Sequence, residues 1–212
     1  MHPPPTSIVY IVGADPALHD ALRGLLESVG LRTLACTDME AFVAAYQPDQ
    51  PGCLLLDARA SKPDDPGAQQ RLREEGIDAP VIVLAEHASV AMAVAALRRG
   101  VLDFIEKPFN DQMLLDGVHH ALTVDATRRR ARTQHQELLH RFDTLTAREQ
   151  DVLRWVVAGL PNREIAETLN LSRKTVEIHR ARVMRKMEAE TLSQLIQMTV
   201  AIGILKLYDS EG

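Results

Sequence analysis

Several classes of protein are excluded by what this 212-residue chain has little of. It carries two cysteines, Cys36 and Cys53, at a spacing that makes neither a disulfide framework nor a metal knuckle, so a reducing compartment is expected. The histidines, including the adjacent His119 and His120, show no ligand spacing with one another or with the cysteines. No apolar run approaches the roughly 20 residues needed to cross a bilayer. The opening residues, MHPPPTSIVYIV, lack a basic region and hold too short an apolar run for a secretory signal. A glycine-rich phosphate loop and a nucleophile–base pair are both missing, which argues against an enzyme. A cytoplasmic, non-enzymatic protein is expected. Its length and its 46% hydrophobic content suffice for two small domains, each with a core.

The net charge of −5 hides an uneven distribution. Residues 1–125 hold nine cations and eighteen acids, residues 126–142 five cations and one acid, and residues 143–212 ten of each. DNA would repel so acidic a front half, which therefore reads as a regulatory or partner-binding unit. In the back half the cations are gathered. Between Arg173 and Lys186 stand Arg173, Lys174, Arg180, Arg182, Arg185 and Lys186 against the single acid Glu177.

The stretch LTAREQDVLRWVVAGLPNREIAETLNLSRKTVEIHRARVMRKM, residues 145–187, has the periodicity of three amphipathic helices. The first is predicted over 147–160, with Val152, Leu153, Val156, Val157 and Leu160 on one face and Trp155 in the core. Thr146 and Glu149 form its capping box, and Gly159 and Pro161 end it. The second is predicted over 162–169 and the third over 173–187, capped by Ser172 and burying Val176, Val183, Met184 and Met187. Two helices joined by a short turn, the second rich in cations, make a helix-turn-helix. A fourth helix is predicted over 191–205, capped by Thr191.

Residues 7–123 alternate short apolar runs with helical patterns. Strands are predicted at 7–12, 31–36, 53–56, 81–84 and 103–105, with helices over 15–29, 38–47, 68–75, 90–99 and 111–124 between and after them. A polar loop, Ser61–Gly67, lies in the third connection. Five strands alternating with five helices imply a doubly wound parallel sheet, which takes ligands beyond the carboxyl ends of its strands. Those ends carry Gly13, Ala14 and Asp15, then Asp57, Ala85 with Glu86, and Lys107. Residues 124–142 hold no proline or glycine and are rich in helix formers, so a helical linker continuing the last helix is expected. For Arg128, Arg129, Arg130 and Arg132, roles in solvent or against the front half outweigh contact with DNA phosphate.

The motifs L-T-x-R-E, G-L-x-N-x-E-I-A and T-V-E-x-H-R within residues 145–181 resemble the LuxR-type DNA-binding domain of FixJ/NarL response regulators. The front half resembles the receiver domain of the same family. The resemblance implies a flavodoxin-like receiver at 5–123, a linker at 124–142 and a helix-turn-helix domain at 143–208. It makes Asp57 the phosphoacceptor equivalent and Lys107 its partner, usually followed by a cis proline bond. It places Phe104 near the aromatic that changes rotamer on activation. The family's usual dimer face falls at about 90–122, and the fourth helix of the DNA-binding domain forms the contact of the DNA-bound pair. Two parts depart from the pattern. An acidic pair that would hold Mg²⁺ is replaced by Gly13 and Ala14, with only Asp15 beside them, and a hydroxyl residue is replaced by Ala85.

Phosphoryl transfer to a carboxylate brings negative charges together and depends on a cation to neutralise them. Mg²⁺ is usually held through one or two carboxylates, and a lost bond to a charged group removes on the order of 1.5–3 kcal/mol. A degenerate receiver with weak or no phosphorylation and a lost or weak Mg²⁺ site is therefore expected, the milder alternative being slow phosphorylation with Asp15 as a substitute ligand. The expected function is transcription regulation through double-stranded DNA, as a homodimer, with a sensor histidine kinase or another protein as partner. Lys174, Thr175, Glu177, Ile178 and Arg180 are expected to face bases or nearby phosphates, and Arg173, Arg182 and Lys186 the backbone. Glu177 either accepts from a cytosine amino group or orients Arg180. Two alternatives remain at this point: a conventional regulator switched by Asp57 phosphorylation, and a protein-interaction adaptor.

Overall fold

Alternation of side chains along each strand sets the layering of the front half. In the computed structural model, which describes residues 7–60, 68–86 and 89–204, five parallel strands form one sheet in the order β2-β1-β3-β4-β5. They are β1 (Ile8–Val12), β2 (Arg32–Cys36), β3 (Gly52–Asp57), β4 (Val81–Ala85) and β5 (Asp103–Glu106). Tyr10, Val12, Leu54, Leu56 and Val81 face one side with Phe42, Met39 and Leu72. Val9, Ile11, Leu55, Ile82 and Leu84 face the other with Leu22, Leu26, Leu114, Val118 and Leu122. Both faces are covered, as near-continuous apolar strands demand. Cys36 and Cys53 are free and buried in these layers.

The helices follow the capping signals. Asp15 caps α1 (Pro16–Ser28), Asp38 caps α2 (Met39–Ala45) and Ser89 caps α4 (Val90–Arg98), each by accepting backbone N–H groups. The third helix, α3, spans Ala68–Glu74. The expected loop at 61–67 lies outside the described residues, as do residues 205–208. The fifth helix, α5, runs unbroken from Asp111 to Asp143, with Gly117 inside it, and continues through residues 124–142, which hold no proline or glycine.

The chain divides into two compact units, 1–129 and 130–212. The second contains α6 (Ala147–Val157), α7 (Asn162–Leu169), α8 (Arg173–Met187) and α9 (Leu192–Ala201). Val152, Leu153, Ile165, Val176, Val183, Met187 and Leu195 make its core. The capping box of Thr146 and Glu149 forms, as does the Ser172 cap of α8. Asn170 takes the left-handed conformation (φ 52°) that turns α7 into α8. Two expectations are corrected. Trp155 is 37% exposed and not in the core, and α6 stops at Val157 because Gly159 turns the chain with a positive φ of 87°.

Candidate functional site

Asp57 closes β3, and its side chain is only 2% exposed at the carboxyl edge of the sheet. Lys107, directly after β5, places its Nζ 3.0 Å from Asp57 Oδ2. The Lys107–Pro108 bond is cis. The expected pairing of Asp57 with Lys107 is therefore present. Arg59, two residues after Asp57, had no assigned role, yet it makes the most bonds here. Its backbone N–H donates to Asp57 Oδ1 at 3.1 Å and its Nη2 to Asp57 Oδ2 at 3.1 Å. The same Nη2 lies 3.2 Å from Asp15 Oδ2, and Nη1 lies 2.9 Å from Glu86 Oε1. One guanidinium thus joins carboxylates that follow β1, end β3 and follow β4.

Burial alone would raise the carboxyl pKa of Asp57. The hydrogen bonds from the Arg59 side chain and backbone, with the bond and charge of Lys107, outweigh it and hold Asp57 below the ordinary carboxylate value. Asp15 is also held low, first by the backbone N–H groups of Leu18 and Ala17 that it caps. Its Oδ1 serves that cap and its Oδ2 serves Arg59.

Ala85 is buried and brings no hydroxyl to the pocket. A Cβ on Gly13 would stand 3.0 Å from Asp57 Cβ and 3.8 Å from His19 Nε2, a buried nitrogen with no hydrogen-bond partner among the described residues. Ala14 lies at the mouth of the pocket with Asp15, Asp57 and Arg59. Phe104 packs beside the core face formed by Tyr10 and Leu54. No group of three or more His, Cys, Asp or Glu residues suited to a metal occurs among the described residues. Asp57 and Asp15 are both engaged by cationic or backbone donors, and positions 13 and 14 supply no side-chain oxygen.

In the second unit, Arg173, Lys174, Glu177, Ile178 and Arg182 are exposed along α8, with Ile178 44% exposed although it is apolar. Thr175 is half-buried, its Oγ1 2.7 Å from Ser172 Oγ at the cap. Arg180 is half-buried and donates from Nη1 to Asn162 Oδ1 at 2.7 Å. Asn162 opens α7, so the first helix of the turn motif aims a cation on the second. Lys186, expected at the DNA backbone, is instead held within the domain. Its Nζ lies 2.6 Å from Glu149 Oε2 and 2.8 Å from the Thr144 carbonyl oxygen. Burial pushes the Glu149 carboxyl up, but Lys186 and the Thr146 cap outweigh this and lower its pKa.

A third cluster, also not anticipated, lies at the opposite end of β3. Asp125 of α5 is 1% exposed and accepts from Gly52 N–H at 2.9 Å and from Arg129 Nε at 2.7 Å. Arg129 also donates to Tyr46 Oη at 2.9 Å and to the Pro48 carbonyl, while Arg128 pairs with Asp78 at 3.1 Å. Arg128 and Arg129 therefore face the receiver, the role given the greater weight. The available signal was the four-residue spacing of Asp125 and Arg129, which stacks them on one helix face.

A parallel sheet with a buried aspartate opposite a lysine, followed by a helix-turn-helix with an exposed cationic helix, defines a receiver-linked DNA-binding regulator. Comparison with known proteins agrees. Residues 9–119 match the response regulator receiver domain, and residues 143–199 match the bacterial regulatory proteins of the luxR family. The chain is 37% identical to nodulation protein W of Bradyrhizobium diazoefficiens, over 93% of this chain and 87% of that protein. It is 35% identical to the transcriptional regulatory protein FixJ of Azorhizobium caulinodans, over 95% and 96% respectively. The solved structure of the response regulator StyR, 33% identical, covers 92% of this chain and 98% of its own with a TM-score of 0.78. The chain belongs to the two-component response regulators that carry a LuxR-type DNA-binding domain, and it is FixJ-like among them.

Proposed function

We propose that this regulator binds double-stranded DNA as a homodimer through α8 while its receiver is phosphorylated weakly or not at all and needs no Mg²⁺. The observation that carries the receiver half of this reading is the engagement of Asp57. Both of its oxygens already accept from cationic or backbone donors. A carboxylate so held is a poor nucleophile toward a phosphoryl donor, and Ala85 offers no hydroxyl to a transferred oxygen. Gly13 and Ala14 offer no carboxylate to a metal that would offset the gathering negative charge.

For DNA, the assignment rests on the exposed side chains of α8. Lys174, Glu177 and Ile178, near its N-terminal end, suit base edges, with Thr175 beside them, while Arg173 and Arg182 suit phosphates. Arg180 is held by Asn162 at the edge of this set. The dimer reading is supported by exposed apolar side chains on α4, namely Val90, Met92, Val94 and Leu97, with Met113 on α5. A cytoplasmic location accords with a ligand that is double-stranded DNA. The partner that addresses the receiver, a sensor histidine kinase or another protein, must act on a site whose acids are already neutralised. The adaptor alternative has no observation in its favour.

The test is exposure of the full chain to acetyl phosphate with Mg²⁺, followed by intact mass. An essentially unmodified chain is expected. Gain of one phosphoryl group on most molecules, abolished in Asp57→Asn, restores the conventional switch.

A further inference from the structure

Resting on that reading of the receiver, we infer that Arg59 is the resident cation of the acid pocket: its guanidinium takes the role of a divalent metal among Asp15, Asp57 and Glu86 and keeps such metals out. Three carboxylates converge on it from the ends of three strands, at 3.2, 3.1 and 2.9 Å. Left to themselves, three acids around one point repel, and a buried carboxylate needs a cation or hydrogen bonds to stay ionised. Lys107 reaches only Asp57 among the three. Arg59 reaches them all, because a planar fork presents several donors in fixed directions.

A pair of exposed ions contributes little, and Arg59 is itself 52% exposed. The difference lies in its partner. Asp57 is 2% exposed, so water cannot replace the guanidinium without reaching a buried oxygen. The backbone of residue 59 reinforces the arrangement, since its N–H donates to Asp57 Oδ1 and so fixes the start of the side chain beside the acid it serves. Mg²⁺ demands near-octahedral oxygen ligands at about 2.0–2.1 Å. To provide them, Asp57 would have to release Arg59 and Asp15 would have to release either Arg59 or its cap on α1. No compensating side-chain oxygen comes from position 13, where even a Cβ would crowd Asp57 at 3.0 Å.

The bond to Glu86 adds a structural consequence. Glu86 follows β4 and precedes α4, so Arg59 fastens the β4–α4 connection to β3 with a group that is always charged. A bound metal ion or a phosphoryl group comes and goes, whereas the charge of Arg59 is permanent, although its pair with Glu86 is exposed on both sides and contributes little to stability.

The test is a Mn²⁺ titration of the full chain, reading free Mn²⁺ by electron paramagnetic resonance, with Mg²⁺-dependent thermal unfolding of the receiver as the second readout. The wild type is expected to bind no Mn²⁺ at its receiver site in the low millimolar range, and its unfolding to be indifferent to Mg²⁺. Arg59→Ala and the longer neutral Arg59→Gln are expected to unfold at lower temperature and to bind Mn²⁺ at least ~10-fold more tightly than wild type, with Mg²⁺ restoring the unfolding temperature by ligand linkage. Arg59→Lys keeps the charge and is expected to exclude the ion. Wild-type binding equal to that of Arg59→Ala overturns the inference, as does failure of both neutral variants to gain affinity. No phosphoryl donor is present, so these results are independent of the acetyl phosphate test. A chain that excludes Mn²⁺ yet becomes phosphorylated refutes the weak-phosphorylation reading and leaves Arg59 as assigned.

Discussion

At the strand ends of the receiver, Arg59 and Lys107 are taken up by Asp57, Asp15 and Glu86, whereas along α8 Arg173, Lys174 and Arg182 stand exposed. The same residue types do opposite work. A cation spent on a buried carboxylate stabilises the fold and leaves little field for a ligand. An exposed cation on a helix adds little to the fold and is available to phosphate. The second unit contains both kinds in one helix, since Lys186 is bonded to Glu149 while Lys174 is exposed. Position on the helix, not residue type, decides which cations can meet DNA.

The contrast can be broken at single residues, beginning with buried acids. Asp125→Ala strands Arg129 and the Gly52 N–H, and unfolding in urea should show the receiver destabilised by about 3–5 kcal/mol. Glu149→Ala removes half of the capping box and the partner of Lys186, and should destabilise the DNA-binding unit by about 2–3 kcal/mol in the same measurement. Because the Glu149 pKa is lowered by folding, its contribution is fully present above the unfolded value, about 4.3, and fades as pH falls toward the folded value. Acid unfolding of the isolated second unit, followed by circular dichroism, should therefore lose part of its pH dependence below about pH 4.3 in Glu149→Gln. Arg180→Ala should weaken binding to a specific site by roughly 1–3 kcal/mol in gel-shift titration, and Asn162→Ala should reproduce part of that loss by releasing the guanidinium. Lys174→Ala should weaken binding to all sequences and lower the salt slope by about 1, whereas Lys186→Ala should leave that slope unchanged.

Much of the fold was legible because its signals are local. The bounds of α7 and α8 follow from the Pro161 start, the left-handed Asn170 and the Ser172 cap, all within a few residues of the helices they define. The continuation of α5 into the second unit's sequence follows from residues 124–142, which hold no proline or glycine. Pairing of Asp57 with Lys107 was legible only through the family's motif, since fifty residues separate them. Arg59 escaped because its partners end other strands, and nothing in the sequence near residue 59 announces where a long flexible side chain will reach. Asp125 escaped for a related reason: its helix neighbour Arg129 was visible, but Gly52 and Tyr46 meet it only after the sheet has formed. Trp155 was misplaced because it adjoins the apolar face of α6, and a lone aromatic beside such a face carries no periodicity of its own.

The most direct measurement is the affinity of the full chain for its DNA site, determined in parallel for untreated protein, protein treated with acetyl phosphate and Mg²⁺, and Asp57→Asn. A receiver whose acids are neutralised from within predicts one affinity in all three samples. A large gain in affinity on treatment, absent from Asp57→Asn, would contradict it.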